Sequence, residues 1–245
     1  AHKDIDIVMT PDGAPVAMVH TNNCSSDINA WAALFGSFAA AIGTALTPDE
    51  LYQKLFAAAG TGDADAGDLL NYACLSGEHI TGVREGRPLF VRTPHSRFTL
   101  PNFMRAQLYA AFAPLRIGME ILVREEGVSP TRMIAHGGLF KTPVVAQQIL
   151  ADALNVPIAV METAHEGGPW GMAVLAVFAL CAREGQTLAD FLDDVVFGTA
   201  RTSVCVPDPA GTAGYDRFIE RYRTALAVEK GAQVLPDEPP SDGRI

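Results

Sequence analysis

Between Met133 and Arg183, short apolar runs of strand length alternate with longer runs of helical length. A strand is expected at Met133 to His136, a helix from Pro143 to Leu154, a strand from Pro157 to Met161 and a helix from about Pro169 to Arg183. Strands linked by helices share a sheet that the helices cover, so this order specifies an α/β fold. At the first junction stands Ile134-Ala-His-Gly137-Gly138-Leu-Phe-Lys141-Thr142-Pro143. Two glycines after a strand let the backbone approach a ligand, because no Cβ stands in the way. Thr142 is placed to cap the next helix with Pro143 at its first position, which would turn free amides and the positive helix end toward the same bend. A nucleotide suits such a turn; the alternative is that the glycines only make a tight connection.

The rest of the chain is consistent with that class. Asp4 to Val19 alternates polar and apolar residues around Pro11-Asp12-Gly13, the pattern of a β-hairpin. Ser25 to Asn29 offers caps for a helix with Trp31, Leu34, Phe35, Phe38 and Ile42 on one face. Thr47-Pro48-Asp49-Glu50 opens a second helix running to about Ala59, and Gly60 to Gly67 reads as a loop. The acids of that loop lack calcium-loop spacing. Leu69 to Leu75 and Pro88 to Arg92 look like strands, and a third long helix begins at Thr99-Leu-Pro-Asn102 with Pro114 inside it. A short helix is expected at Thr187 to Val196, an amphipathic one at Tyr215 to Glu229, and a mobile tail at 235–245.

Charge narrows the functional classes. The 245 residues carry 18 Lys and Arg against 28 Asp and Glu, a net charge of -10, which argues against nucleic-acid partners and anionic membranes because both require basic surface. Ile28 to Pro48 carries no charge but is rich in Ala and broken by Gly36 and Gly43, so it reads as a buried or half-buried helix rather than a membrane span. Cys24, Cys74, Cys181 and Cys205 show no paired spacing, which fits a reduced, cytoplasmic location. No basic region precedes an apolar run at the start, and an opening Ala leads us to expect an excerpt of a longer chain.

Several chemistries are excluded by pattern. The Walker spacing and G-x-G-x-x-G are both absent, as is the G-x-S-x-G elbow of hydrolases. His165 and Glu166 are adjacent, and adjacent side chains rarely converge on one substrate atom. In Gly167-Gly168-Pro169-Trp170-Gly171, the glycines read as a bend followed by close helix packing at Gly171.

In order along the chain, the motifs resemble the C-terminal domain of the FGGY family of carbohydrate kinases, with xylulokinase-like members nearest. Ser26-Asp-Ile-Asn-Ala-Trp31 looks like the family's helix leading to a Trp, and Leu75-Ser-Gly-Glu78 is similar to its L-S-G-E-R turn. Gly137-Gly138 through Gln148 to Pro157 resembles its adenosine motif and following helix, and Gly171-Met-Ala173 stands where the family has G-A-A. The likeness covers roughly residues 5 to 230. Departures fall at Pro88, Arg92, Gln107 and Tyr109, where the family expects small, Gly, small or aliphatic, and acidic residues.

The resemblance implies a ribonuclease-H-like, actin-type ATPase domain over 1–234, with a central mixed sheet flanked by helices. It implies ATP or ADP with Mg2+ as cofactors, and a sugar substrate such as xylulose or a related polyol, held through an N-terminal lobe that is not in this sequence. Carried over by position, Gly137, Gly138, Leu139 and Phe140 would line the adenine and ribose, Ser26 and Ala30 would approach the terminal phosphates, and Lys141 is a weaker candidate. The catalytic Asp would lie in the other lobe, so no catalytic or metal-binding residue is expected here. Two other readings remain open: a catalytically inactive actin-like nucleotide-binding or regulatory module, and a purely structural domain that forms a homodimer.

Overall fold

The computed structural model describes residues 2–142, 144–162, 164, 167–198 and 200–235. Strands β1 (Asp6–Met9) and β2 (Pro15–Met18) form the expected hairpin. Its turn closes with the Thr10 amide donating to the Ala14 carbonyl and the Gly13 amide donating to the Thr10 carbonyl, both at 2.9 Å, and Gly13 supplies φ +89°. Helix α1 (Ser26–Ala41) follows, then α2 (Pro48–Gly60), which opens on a capping box. Thr47 Oγ1 accepts from the Glu50 amide at 3.3 Å, and Glu50 Oε2 accepts from the Thr47 amide at 2.8 Å.

Strands β3 (Leu70–Tyr72) and β4 (Leu89–Val91) pair antiparallel. Helix α3 (Leu100–Glu120) runs through Pro114 and ends in a wider π turn at Ile121–Glu125. By length and composition the stretch 100–125 matches a membrane span, yet its inner face, including Phe103, Met104, Leu108 and Tyr109, is the centre of the protein core. Then come β5 (Met133–Ala135), α4 (Val145–Leu154), β6 (Ile158–Met161), α5 (Gly167–Cys181), α6 (Leu188–Phe191), β7 (Thr202–Cys205) and α7 (Pro209–Ala232).

The order β5-α4-β6 gives the expected parallel pair, with Met133 opposite Ile158. β7, which the sequence pattern did not reveal, adds antiparallel to β6 and makes the sheet mixed. Among the described residues that sheet has these strands alone. Among the described residues the hairpins β1-β2 and β3-β4 form separate ladders, so the strands do not join in one central sheet.

Helices α3, α4 and α7 pack together over this frame. The Tyr109 ring meets Tyr215 edge-on at 4.7 Å and Phe218 at 5.0 Å, and the Tyr215 hydroxyl donates to the Tyr109 carbonyl at 3.1 Å. Buried aromatic pairs of this geometry contribute about 1 kcal/mol each beyond their area. Helix α7 is longer than its amphipathic stretch because Asp208 caps it and Pro209 occupies its first turn.

Three expectations need correction. The inner side of α1 is Ile28 and Ala32 with half-buried Trp31 and Phe35, whereas Leu34, Phe38 and Ile42 are 55%, 63% and 62% exposed. Trp31 and Phe35 meet Phe103 edge-on at 4.9 and 5.9 Å, which fixes that rotation. Helix α5 has no buried residue, and a Cβ at Gly171 would meet nothing within 4 Å among the described residues, so this glycine serves no close packing against them. Helix α4 begins at Val145 with no side-chain cap, so Thr142, in extended conformation, does not cap it. Val144, at φ +73°, breaks the chain direction between the two. Pro143, His165 and Glu166, and the tail beyond Leu235, lie outside the described residues.

Candidate functional site

The Gly137-Gly138 bend leaves β5 and enters one turn of 3₁₀ helix, Gly138–Lys141. The Gly137 amide donates to the Ala164 carbonyl at 2.8 Å, which ties the bend to the end of β6, and the Phe140 amide donates to the Gly137 carbonyl at 3.1 Å. Gly137 has φ +117°, which a side-chain-bearing residue adopts only under strain. A Cβ built on either glycine would meet nothing within 4 Å among the described residues, so the space beside the bend is open to them.

Two cavities adjoin it. The first, about 320 Å³, is largely apolar and lies between the bend, Phe112 and Leu115 of α3, and Thr21 to Ser25. The second, about 440 Å³, lies between the first turns of α1, the face of α2 and residues Gly138 to Thr142. Ser25, Gly138 and Leu139 line both. Ile28, Phe56 and Leu139 give the second cavity a buried apolar wall, while Asn29, Asp49, Gln53 and Lys141 supply its polar rim. Such an apolar slot with a few polar groups is the form small-molecule sites take.

The start of α1 is held in place by the Leu75-Ser-Gly-Glu78 turn. Glu78, 1% exposed, accepts at Oε2 from the Asn22 amide at 3.0 Å and from Asn23 Nδ2 at 3.2 Å. Asn23 in turn donates to the Gly77 carbonyl and accepts from the Ser76 amide at 3.0 Å. Charge-assisted bonds of this kind are the stronger ones. The turn therefore fixes the segment that delivers Ser25 to both cavities. Asp27 at the positive end of α1 is buried and accepts from Asn71 Nδ2 at 2.9 Å.

The sequence-derived candidates divide around this geometry. Gly138 and Leu139 line both cavities, Gly137 the first, Phe140 the first and the neighbouring space by β7, and Lys141 the second and that same space. Ser26 and Ala30 sit exposed on α1 and line neither cavity; Ser25, Ile28 and Asn29 do so instead. Asn29 was not visible as a site residue because its partner is distant in sequence: the Tyr52 hydroxyl donates to Asn29 Oδ1 at 2.7 Å. Burial pushes the Tyr52 phenol up.

The departures from the family pattern lie away from both cavities. Tyr109 is a core residue whose hydroxyl donates to the Ala64 carbonyl at 2.8 Å, and burial pushes it up to about 12. Gln107 is 1% exposed with no hydrogen-bond partner among the described residues. Arg92 stacks over Phe98 at 5.0 Å. Among the described residues no three His, Cys, Asp or Glu side chains converge as metal ligands.

The C-terminal domain of the FGGY family of carbohydrate kinases matches residues 1–180, and the chain belongs to that family. In structure it is similar to the xylulose kinase of Lactobacillus acidophilus, with a TM-score of 0.69 and 23% identity over 94% of this chain and 44% of that one. The xylulose kinase of Rhodospirillum rubrum gives 0.68 and 23% identity over 93% and 42%. The ADP-bound glycerol kinase of Plasmodium falciparum gives 0.53 and 16% identity over 84% and 38%. The chain thus spans less than half the length of each. No curated protein sequence matches it.

Proposed function

We propose that this chain is the ATP-binding lobe of a carbohydrate kinase, with the ribonuclease-H-like, actin-type ATPase fold. The observation that carries the reading is the open Gly137-Gly138 bend, whose Gly138 stands on the wall of the 440 Å³ cavity, where a purine and ribose can lie against bare backbone. Membership of the FGGY family and the likeness to an ADP-bound glycerol kinase support it. Leu139 supplies apolar wall for the base, and Phe140 and Lys141 continue the same turn. Ser26 and Ala30 remain candidates for the phosphate end, one turn apart on the exposed side of α1. The magnesium ion is expected to bind largely through nucleotide phosphates and one or two carboxylates.

The reaction is in-line transfer of the γ-phosphoryl group of ATP to a sugar hydroxyl, with a pentulose such as xylulose as the favoured acceptor. This chemistry depends on positioning and charge stabilisation, with a base orienting the nucleophile. That base is expected in the companion N-terminal lobe, and the active protein is expected in the cytoplasm. Titration of the 245-residue protein with ADP and Mg2+ in a calorimeter tests the reading. Saturable heat with one site per chain is expected; no heat at millimolar ADP would contradict it. Sugar phosphorylation by the isolated chain at ordinary rates would refute the borrowed base.

A further inference from the structure

Glu229, in the last turn of α7, is 0% exposed. One of its carboxylate oxygens, Oε1, accepts from the Arg87 amide at 3.0 Å, whereas Oε2 has no hydrogen-bond partner among the described residues. Burial pushes the carboxyl up, the mark of a charge that its surroundings do not favour. Replacing buried charged groups by apolar ones of similar volume often leaves a fold as stable or more so, and packing alone therefore does not account for a carboxylate here.

What Glu229 holds is the 85–87 loop. Gln233 Nε2 donates to the Glu85 carbonyl and Arg87 Nε to the Leu235 carbonyl, each at 2.9 Å, and with the Glu229 bond they tie that loop to the end of α7. The loop in turn lies on the 74–78 turn: a Cβ on Gly86 would overlap the Cys74 carbonyl, and one on Gly77 would overlap the Arg84 carbonyl. The Glu78 amide donates to the Val83 carbonyl at 2.7 Å, and the Val83 amide returns a bond to the Glu78 carbonyl at 3.1 Å. Glu78 and Ser76 then hold Asn22 and Asn23, the residues that lead into Ser25 on the wall of both cavities. Each link from α7 to the cavity is a formed hydrogen bond or a close backbone contact. We infer that Glu229 is a positioning residue for the cavity: through the 85–87 loop and Glu78 it holds the segment that carries Ser25 into the wall. The inference rests on the nucleotide reading above and adds to it a residue of the last helix that never touches the ligand.

The test is titration of ADP with Mg2+ into the wild-type protein, Glu229→Met, Glu229→Gln, Asn23→Ala and the double variant of Glu229→Met with Asn23→Ala, each accompanied by a thermal melt. Glu229→Met is expected to weaken ADP by about five- to tenfold, the range of one hydrogen bond, while its melting temperature stays within about 3 °C of wild type. Glu229→Gln keeps an oxygen for the Arg87 amide and should bind ADP within about twofold of wild type. Because Glu229 and Asn23 act on one segment, the double variant should bind ADP no more weakly than the weaker of the two single variants. A merely structural role would lower the melt and leave ADP affinity in place. Unchanged ADP affinity in Glu229→Met, equal losses in the Met and Gln variants, or losses that multiply in the double variant overturn the inference while leaving the nucleotide site intact. A wild type that binds no ADP ends both readings.

Discussion

The α4–α7 contact and the cavity rim at 137–141 both depend on glycine, for opposite reasons. In α7, a Cβ on Gly211 would collide with the Asp152 carboxylate, and one on Gly214 would collide with the Ala64 carbonyl. Those glycines exist so that packing can be close, and Asp152 uses the space to accept from the Asp208 amide and Gln148, each at 2.8 Å. At Gly137 and Gly138 nothing among the described residues fills the space a side chain would take. Gly137 is explained by its φ of +117°, whereas Gly138 has neither a positive φ nor a close neighbour among the described residues, and its open side is the one the proposed nucleotide would use.

The packed side should yield the largest stability change. Gly→Ala in a helix ordinarily stabilises by roughly 0.5–1 kcal/mol, but Gly214→Ala should destabilise by about 2–3 kcal/mol, since a backbone carbonyl cannot move aside. A denaturant titration in which Gly214→Ala matched or exceeded wild type would dissolve the contrast. Next is Glu120 on the rim of the same helix packing, bound by Arg116 at 2.8 Å and Arg223 at 2.6 Å. Burial alone would raise its carboxyl, yet the hydrogen bonds from Arg116 and Arg223 carry it below the usual carboxylate range. A group depressed on folding contributes stability above its unfolded pKa and loses it as pH falls through the folded value. Glu120→Gln should therefore cost about 1–2 kcal/mol at neutral pH, and the gap from wild type should close in acid. A gap independent of pH would remove the ion pairs from the account.

Two threonines sharpen the comparison at smaller scale. Thr47→Ala breaks a formed capping box and should cost about 1 kcal/mol. Thr142→Ala, on the open side, should stay within about 0.5 kcal/mol of wild type because no cap is formed there. Thermal melts of the two variants compare them directly, and equal losses would put the start of α4 back at Thr142.

What could be read from the sequence follows the range of the interaction. The Pro11-Asp12-Gly13 turn, the Thr47-Pro48-Asp49-Glu50 cap and the β5-α4-β6 order are written in residues close together, and each forms where expected. Strand β7 escaped because Thr202 to Val204 are exposed and show no apolar alternation; only pairing to β6 makes them a strand. The rotation of α1 escaped because its apolar residues nearly encircle it, and Phe103, far along the chain, decides which of them turn inward. For the site, the glycine bend was legible because glycine pairs after a strand have a direct steric meaning. Asn29 was not, since it joins the cavity wall only when α2 brings Tyr52 alongside it. Thr142-Pro143 carried a cap signal that the left-handed Val144 overrides.

The most direct test pairs binding with stability in Gly138→Val. No described residue fills the space beside Gly138, so the variant should melt within about 0.5 kcal/mol of wild type while ADP binding, expected to be saturable in the wild type, is lost. Undiminished ADP affinity in a folded Gly138→Val protein would place the nucleotide elsewhere and contradict the account.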